Sequence, residues 1–394
     1  MIDEEREFLD QVDTFLAMPN QSWLFGAGIS YEAGIPLMYP LTTRVLELAK
    51  GGPAEEILAA FKAELPDNNH IEHLLSHLGD YCALAERSRD KTAPIGGKVV
   101  KLTDLETAHN VILQHIGDTI RWGYKEIIDA GGRATWTAGT RQTPLVKVDD
   151  HLKFAHAVFR RNQAGLQQRR GPVRIFTTNY DTLIEDGLAL SGVTCWDGFA
   201  GGALAFRSHR FGEPEPAGLF RAHLIKLHGS IDWHLSPTGE IYRIRDGDLY
   251  PDRTGRVLIY PQATKYVATQ RDPFAAQFEL LRRTLSSQSD NVLCTCGYSF
   301  GDDHINQELE LGLSRYDSKT TLIAFLMEGS GLPECLKRWR KDTWAQRLYI
   351  VTENGVYAGA NDIACRPATG ATRDWWTFSG VTKALINGLG SFIV

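Results

Sequence analysis

A chain of 394 residues with 43% hydrophobic and 23% charged residues has ordinary globular composition, long enough for two or three structural units, and disorder is not its default. Its 42 basic and 48 acidic residues leave a net charge of −6, so neither nucleic acid nor an anionic membrane is attracted in general, and nucleic acid is expected only through a partner. No apolar run reaches the roughly 18 residues of a membrane helix and Met1-Ile2-Asp3-Glu4-Glu5-Arg6 does not read as a signal start, so a cytoplasmic location is expected.

In chain order, Phe8, Val12, Phe15 and Leu16 fall at helical spacing, Pro19-Asn20 marks a turn, and a strand follows at about 22–25. That strand runs into Gly26-Ala27-Gly28-Ile29-Ser30, where two glycines would let backbone N–H groups approach a pyrophosphate at a helix start. A Gly-x-Gly turn alone is weak evidence, and Tyr31 stands where the usual dinucleotide fingerprint has its third glycine.

Residues 37–172 carry few strand signals. Ile71, Leu74, Leu75, Leu78 and Cys82 form one helical face and Leu105, Ala108, Ile112, Ile116 and Ile120 another, which predicts an inserted helical module. Within it, Gly131-Gly132 to Pro144 reads as a loop, and Arg160, Arg161, Arg169 and Arg170 as a solvated basic helix end. His70, His73 and His77 line one side of a helix, but Glu72 lies off that side and the leucines between them point to packing rather than metal binding.

Gly171-Pro172 then opens a short apolar strand, Val173 to Phe176, which stops at Thr177-Thr178-Asn179-Tyr180-Asp181. Leu183, Ile184, Gly187, Leu188 and Leu190 continue as a helix, with Thr182 and Glu185 spaced as a capping box. Asn179 and Asp181 are therefore either site residues at the carboxyl end of a sheet or caps of the next helix. The stretch from Trp196 to Pro216 reads as a loop whose Trp196 and Phe199 either shield a nucleotide or pack in the core. A second strand, Leu224 to Leu227, ends on His228-Gly229-Ser230, and His228 is either structural or functional.

Residues 231–245 suggest a hairpin around Pro237-Thr238-Gly239, and 257–260 a further strand. A helix at about 273–287, a strand at 291–295, the turn Cys296-Gly297-Tyr298-Ser299-Phe300, a helix capped by Asp302 or Asp303, and strands near 321–326 and 347–351 complete an alternating pattern. The fold class is thus α/β: a doubly wound parallel Rossmann-like sheet from 1–36 and 173–351, a large helical insertion at 37–172, and a C-terminal extension at 352–394. The extension carries Trp375, Phe378, Leu385, Ile386 and Leu389 at helical spacing, docked on the core or held for a partner. The six cysteines lack paired spacing and are expected reduced; Cys294 and Cys296 are expected on opposite sides of their strand, unable to share a metal. No metal cofactor is expected.

Taken in order, Gly26-Ala27-Gly28-Ile29-Ser30 with Ala33-Gly34-Ile35-Pro36, then Thr178-Asn179-Tyr180-Asp181, Leu227-His228-Gly229-Ser230 and Cys296-Gly297-Tyr298-Ser299-Phe300 resemble the silent information regulator (sirtuin) family over residues 20–36 and 173–350. The resemblance implies that Gly26, Ala27, Gly28 and Ser30 hold NAD phosphates, that Asn179 and Asp181 surround the nicotinamide ribose, and that His228 is the catalytic base. It also implies that Gly297 and Ser299 lie in a later nucleotide-contacting turn. Sirtuin deacylases carry a four-cysteine zinc ribbon after the histidine, whereas only Cys294 and Cys296 lie between His228 and Gly297, and Leu37-Met38-Tyr39 stand where those enzymes have Asp-Phe-Arg.

These departures resemble sirtuin-like proteins of bacterial antiphage systems, which hydrolyse NAD, and above all the partner of a HerA-type ATPase. The expected activity is an NAD glycohydrolase that releases nicotinamide and ADP-ribose. Asn179 and Asp181 oxygens would face the oxocarbenium-like ribose and His228 would accept a proton. The alternatives are a non-catalytic nucleotide-binding assembly subunit and an NAD-dependent deacylase. The insertion and the terminal helix are expected to make protein contacts, in a homo-oligomer and with the ATPase.

Overall fold

The computed structural model describes residues 2–128, 131–160, 171–216, 218–245, 255–258, 272–361, 363–368 and 370–393. The expected basic cluster around Arg161, Arg169 and Arg170 and the end of the strand expected at 257–260 lie outside them.

Eight strands form the central sheet: β1 Gln21–Phe25, β2 Val173–Thr177, β3 Cys195–Trp196, β4 Ala222–Lys226, β5 Asn291–Cys296, β6 Thr320–Phe325, β7 Leu348–Thr352 and β8 Gly355–Ala358. Their order is β8-β7-β6-β5-β1-β2-β4-β3, with only the β7–β8 pair antiparallel. The sheet is buried on both faces, which is why its strands read as almost unbroken apolar runs. Trp23 and Phe25 of β1 face helices Ile2–Leu16, Asp149–Arg160, Leu183–Leu190 and Phe378–Asn387 through Leu9, Phe154, Ile184 and Phe378. Leu24 between them faces helices Phe274–Leu285, Asp303–Ser314 and Glu334–Trp339 through Phe278, Ile305 and Trp339. The α/β, doubly wound, mostly parallel architecture is the expected one.

Cys294 and Cys296 share one face and one apolar cluster, which corrects the expectation of opposite faces. Side chains two residues apart in a strand point the same way. Burial pushes both thiols well up, so they pack as neutral apolar groups.

In the stretch expected as an inserted module, helices Met38–Ala49, Glu55–Glu64, Ile71–Arg87 and Leu102–Trp122 share an apolar cluster through Val45, Phe61, Leu74, Leu78, Ile112 and Ile116, which Ala33, Ile35, Leu183 and Ile231 also join. Two antiparallel hairpins interrupt it, Thr92–Ile95 with Lys98–Lys101 and Tyr124–Ile128 with Ala134–Ala138, the second occupying part of the stretch read as a loop. Helix Asp149–Arg160 leaves this core and packs on the sheet.

A five-stranded antiparallel sheet of Phe199–Gly201, Leu204–Arg207, Gly229–Leu235, Ile241–Ile244 and Gly255–Leu258 has its strand Gly229–Leu235 directly after His228. The expected hairpin across 231–245 is present in it. Trp196 and Phe199 are buried in apolar clusters, so they pack as core. The C-terminal helix is docked: Thr377 caps it by accepting from Gly380 N–H at 3.0 Å, Trp375 is fully buried with its indole N–H on the Thr352 carbonyl at 2.6 Å, and the Leu389 N–H reaches the Asp13 carboxylate. Among the described residues no helix is long and apolar enough to cross a membrane.

Candidate active site

The parallel registers align the carboxyl ends of four strands. Phe25 pairs with Cys296 and with Thr177, and Thr177 pairs with Lys226. Gly26, Gly297, Asn179 and His228 each follow within two residues, so the four sequence-predicted motifs open on one rim. β1 is the point where the sheet's connections depart to opposite sides, the position at which open α/β sheets bind ligands.

On this rim Asp181, Ser30 and Asn179 form a chain of hydrogen bonds. Ser30 Oγ donates to Asp181 Oδ2 at 2.8 Å, and Asn179 Nδ2 donates to Ser30 Oγ at 3.1 Å. A carboxylate oxygen only accepts, so the serine proton points to Asp181 and its lone pairs face the asparagine, which must present its NH2 group. Asn179 Oδ1 is thereby turned away; it is buried and has no partner. The other Asp181 oxygen accepts from Leu183 N–H at 3.0 Å and so caps the helix. The two readings of this motif therefore divide by residue: Asp181 caps and positions, while Asn179 offers an unused amide oxygen. Thr182, expected in a capping box with Glu185, bonds Asp186 Oδ2 instead, at 3.0 Å.

Beneath this chain lies a buried cation. Lys226, 2% exposed, donates to the Asp181 carbonyl and to Glu185 Oε1 at 3.0 Å. Burial raises the Glu185 carboxyl above its ordinary value, opposed by the positive charges of Lys226 and Arg245. The pair ties the end of β4 to the helix after β2 and so holds the two strand ends at one level. Lys226 was missed from sequence; the signal was a lone cation at an inward position of the run Leu224-Ile225-Lys226-Leu227.

His228 is 4% exposed and its Nε2 lies 3.2 Å from Nε2 of His304, in the first turn of helix Asp303–Ser314. The rings are near parallel, with centroids 5.3 Å apart, and Phe278 packs on His304. Asp302 completes a group whose ligand atoms all lie within 4.8 Å of one another. His304 was not foreseen, because no local pattern links two residues 76 apart in sequence.

The glycine turns pack on each other. Gly26 N–H donates to the Cys296 carbonyl at 3.2 Å and Gly28 N–H to the Gly297 carbonyl at 3.0 Å. A Cβ at Gly26 would meet the Gly297 oxygen at 2.5 Å, and one at Gly28 the Gly297 Cα at 2.7 Å. Gly297 has φ +63. These glycines are thus needed for backbone contact between the two turns, and the N–H groups of Gly26 and Gly28 are already used. Ala27 and Gly28 are exposed at the tip. Ser299 is exposed and accepts from Gly301 N–H at 3.3 Å, while Phe300 beside it holds a left-handed φ of +57.

The inserted module reaches this rim as well. The Tyr180 hydroxyl donates to Glu72 of helix Ile71–Arg87 at 3.2 Å, and Leu183 and Ile231 pack in the module's core. His77 pairs with Glu64 at 2.7 Å and His73 accepts from the His70 N–H, so those histidines serve helix contacts.

Residues 173–347 match the SIR2-like domain. The match supports a sirtuin-like family and an NAD-using function. It takes in Asn179, Asp181, His228, Gly297 and Ser299, together with the Lys226 and His304 that the structure adds. No curated protein matches the chain. The matched segment begins at β2, and in the structure β1 with its glycine turn pairs alongside it.

Proposed function

We propose that this protein hydrolyses NAD at the nicotinamide–ribose bond, releasing nicotinamide and ADP-ribose. The observation that carries this reading is the Asn179 amide oxygen, buried without a partner and fixed in orientation by Ser30 and Asp181 on the rim that also holds His228. Leaving-group departure develops positive charge on the ribose, and a pre-set amide oxygen stabilises that charge or holds the attacking water. His228 accepts the proton from water or a ribose hydroxyl, as imidazole does near neutral pH. Asp181 acts through Ser30 as a positioning residue. With only Cys294 and Cys296 between His228 and Gly297, too few for a four-cysteine ribbon, water is the acceptor rather than an acyl-lysine peptide.

We extend the reading to antiphage defence by NAD depletion, in a homo-oligomer that works with a HerA-type ATPase. Support comes from the motif resemblance and from exposed apolar residues on the inserted hairpins, Val99, Ile128 and Trp136. The protein incubated with NAD, alone and with an acetyl-lysine peptide, should release equal amounts of nicotinamide and ADP-ribose and leave the peptide mass unchanged. Peptide deacylation, or NAD left intact both alone and with the ATPase, would overturn it.

A further inference from the structure

The His228–His304–Asp302 group is more than the proposed chemistry uses. NAD hydrolysis asks for one imidazole that can take up a proton, yet the structure sets a second imidazole nitrogen 3.2 Å from it and a carboxylate oxygen within 4.8 Å of both. The three side chains come from two elements: the end of β4, and the start of helix Asp303–Ser314. Two nitrogens each about 2.0–2.1 Å from one cation at the tetrahedral angle lie about 3.3 Å apart, so the observed spacing is that of two ligands on one zinc-sized ion. Without an ion, one ring donates to the other across the same gap.

Asp302 fits the third position for a local reason. It stands at the N-cap of its helix, where an aspartate usually accepts a hydrogen bond from the first turn. Here its side chain makes no such cap, and its backbone carbonyl receives the Ile305 and Asn306 N–H groups at 3.0 and 2.9 Å. The Tyr298 hydroxyl shares its proton between Asn306 Oδ1 at 3.0 Å and that carbonyl at 3.3 Å, which ties the residue's backbone to the turn before it. Two imidazoles and a carboxylate are a zinc-type donor set, and three protein ligands leave a fourth position for water.

We propose that His228, His304 and Asp302 bind one divalent cation of the zinc class, and that the bound cation holds NAD hydrolysis off by occupying the His228 nitrogen. The inhibitory half rests on the hydrolase reading above; the binding half does not. A cation on Nε2 takes the lone pair that must accept the proton, so the filled site is an off state and the empty site is the working one.

The full-length protein, stripped with chelator and desalted, is titrated with Co2+ followed by the visible absorption of tetrahedral cobalt, and with Zn2+ by calorimetry. One cation per chain is expected in the parent. His304→Ala and the conservative Asp302→Asn should each weaken binding by roughly 100-fold or more, since even the outer partners of metal ligands are worth 10- to 100-fold. Melting curves identify a variant that fails to fold, and the conservative substitution keeps the test available in that case. Absence of binding in the parent, or equal binding in folded variants, overturns the site whether or not the protein cleaves NAD. In the hydrolysis assay Zn2+ should stop nicotinamide release and chelator should restore or raise it. Full activity at saturating Zn2+, or activity lost in chelator and restored by Zn2+, overturns the off-state assignment.

Discussion

The same two neighbouring strands carry a polar cluster at each end, and the two clusters are built differently. At the amino ends of β2 and β4, Arg174 and His223 are register partners, and Glu215 accepts from Arg174 Nε at 3.1 and 3.0 Å, from its terminal nitrogen at 2.9 Å, and from His223 Nδ1 at 2.5 Å. Burial would raise the Glu215 carboxyl, but the hydrogen bonds and charges of His223 and Arg174 outweigh it and bring it down to about 2. The other His223 nitrogen has no partner, and its ring packs against Trp196. At the carboxyl ends, Asp181 fixes Ser30, Ser30 fixes Asn179, and the chain stops at an amide oxygen with nothing on it, beside an imidazole that faces another imidazole. The first cluster satisfies a carboxylate with guanidinium and imidazole N–H groups and closes a seam; the second leaves one buried amide oxygen, that of Asn179, with no partner. Polar burial alone does not mark a site, whereas unmatched and positioned polar groups at the carboxyl edge do.

Substitutions can break this contrast. The largest effect is expected for Asn179→Ala, with NAD hydrolysis down by about 10²- to 10⁴-fold, the range for a positioned catalytic group. Its stability should fall by no more than about 2 kcal/mol, because Asp181 rather than Asn179 accepts the helix N–H. Unfolding of this variant in a melting scan would return the motif to a purely structural role.

Lys226→Met comes next. Removing one partner of a buried pair leaves Glu185 uncompensated and should destabilise the fold by about 3–5 kcal/mol. The sign with pH follows from Glu185, whose carboxyl is already raised by burial and would rise further without Lys226. Its ionised form is the costly one, so the variant's deficit should be greatest at higher pH and shrink on acidification. Denaturant midpoints across pH 4.5–8 check this.

At the amino end, Glu215→Gln should cost about 2–3 kcal/mol at neutral pH and leave kcat unchanged for the folded protein. The Glu215 carboxyl titrates below its ordinary 4.5, so its contribution is complete above that pH and is lost as the pH falls towards 2. Parent and variant should therefore converge in acid, and a pH-independent gap would contradict the ion-pair account.

The smallest effect is expected for Ser30→Ala, which removes one link that orients Asn179. A loss of about 1 kcal/mol, or roughly fivefold in kcat with KM little changed, is expected; a pure KM effect would place Ser30 on the nucleotide phosphates instead.

Much of this was legible in sequence because β2, β4 and β5 are short apolar runs that stop at polar residues, so the ends carrying Asn179, His228 and Gly297 could be read directly. The alternation of strands and helices likewise implied the doubly wound sheet. What escaped depends on contacts between distant segments. His304 and Asp302 meet His228 only through the stacking of one strand end on the next helix, and Asp302 alone reads as an ordinary cap. β8 is four residues with a glycine start, too short to outweigh its polar neighbours. Three of the four strands in the inserted hairpins, such as Lys98–Lys101, are largely exposed and carry no alternating burial. Cys294 and Cys296, two apart in a strand, share a face, against the expectation of opposite faces.

The central claim is that the carboxyl-edge cluster performs NAD hydrolysis through His228. The direct test follows nicotinamide and ADP-ribose by chromatography for the parent and for His228→Ala, each confirmed folded by its melting curve and each assayed alone and with the proposed HerA-type ATPase. The account predicts equal release of both products by the parent and a rate lower by about 10²-fold or more in the variant, at an unchanged melting temperature. A folded His228→Ala protein that hydrolyses NAD at the parent's rate would contradict it.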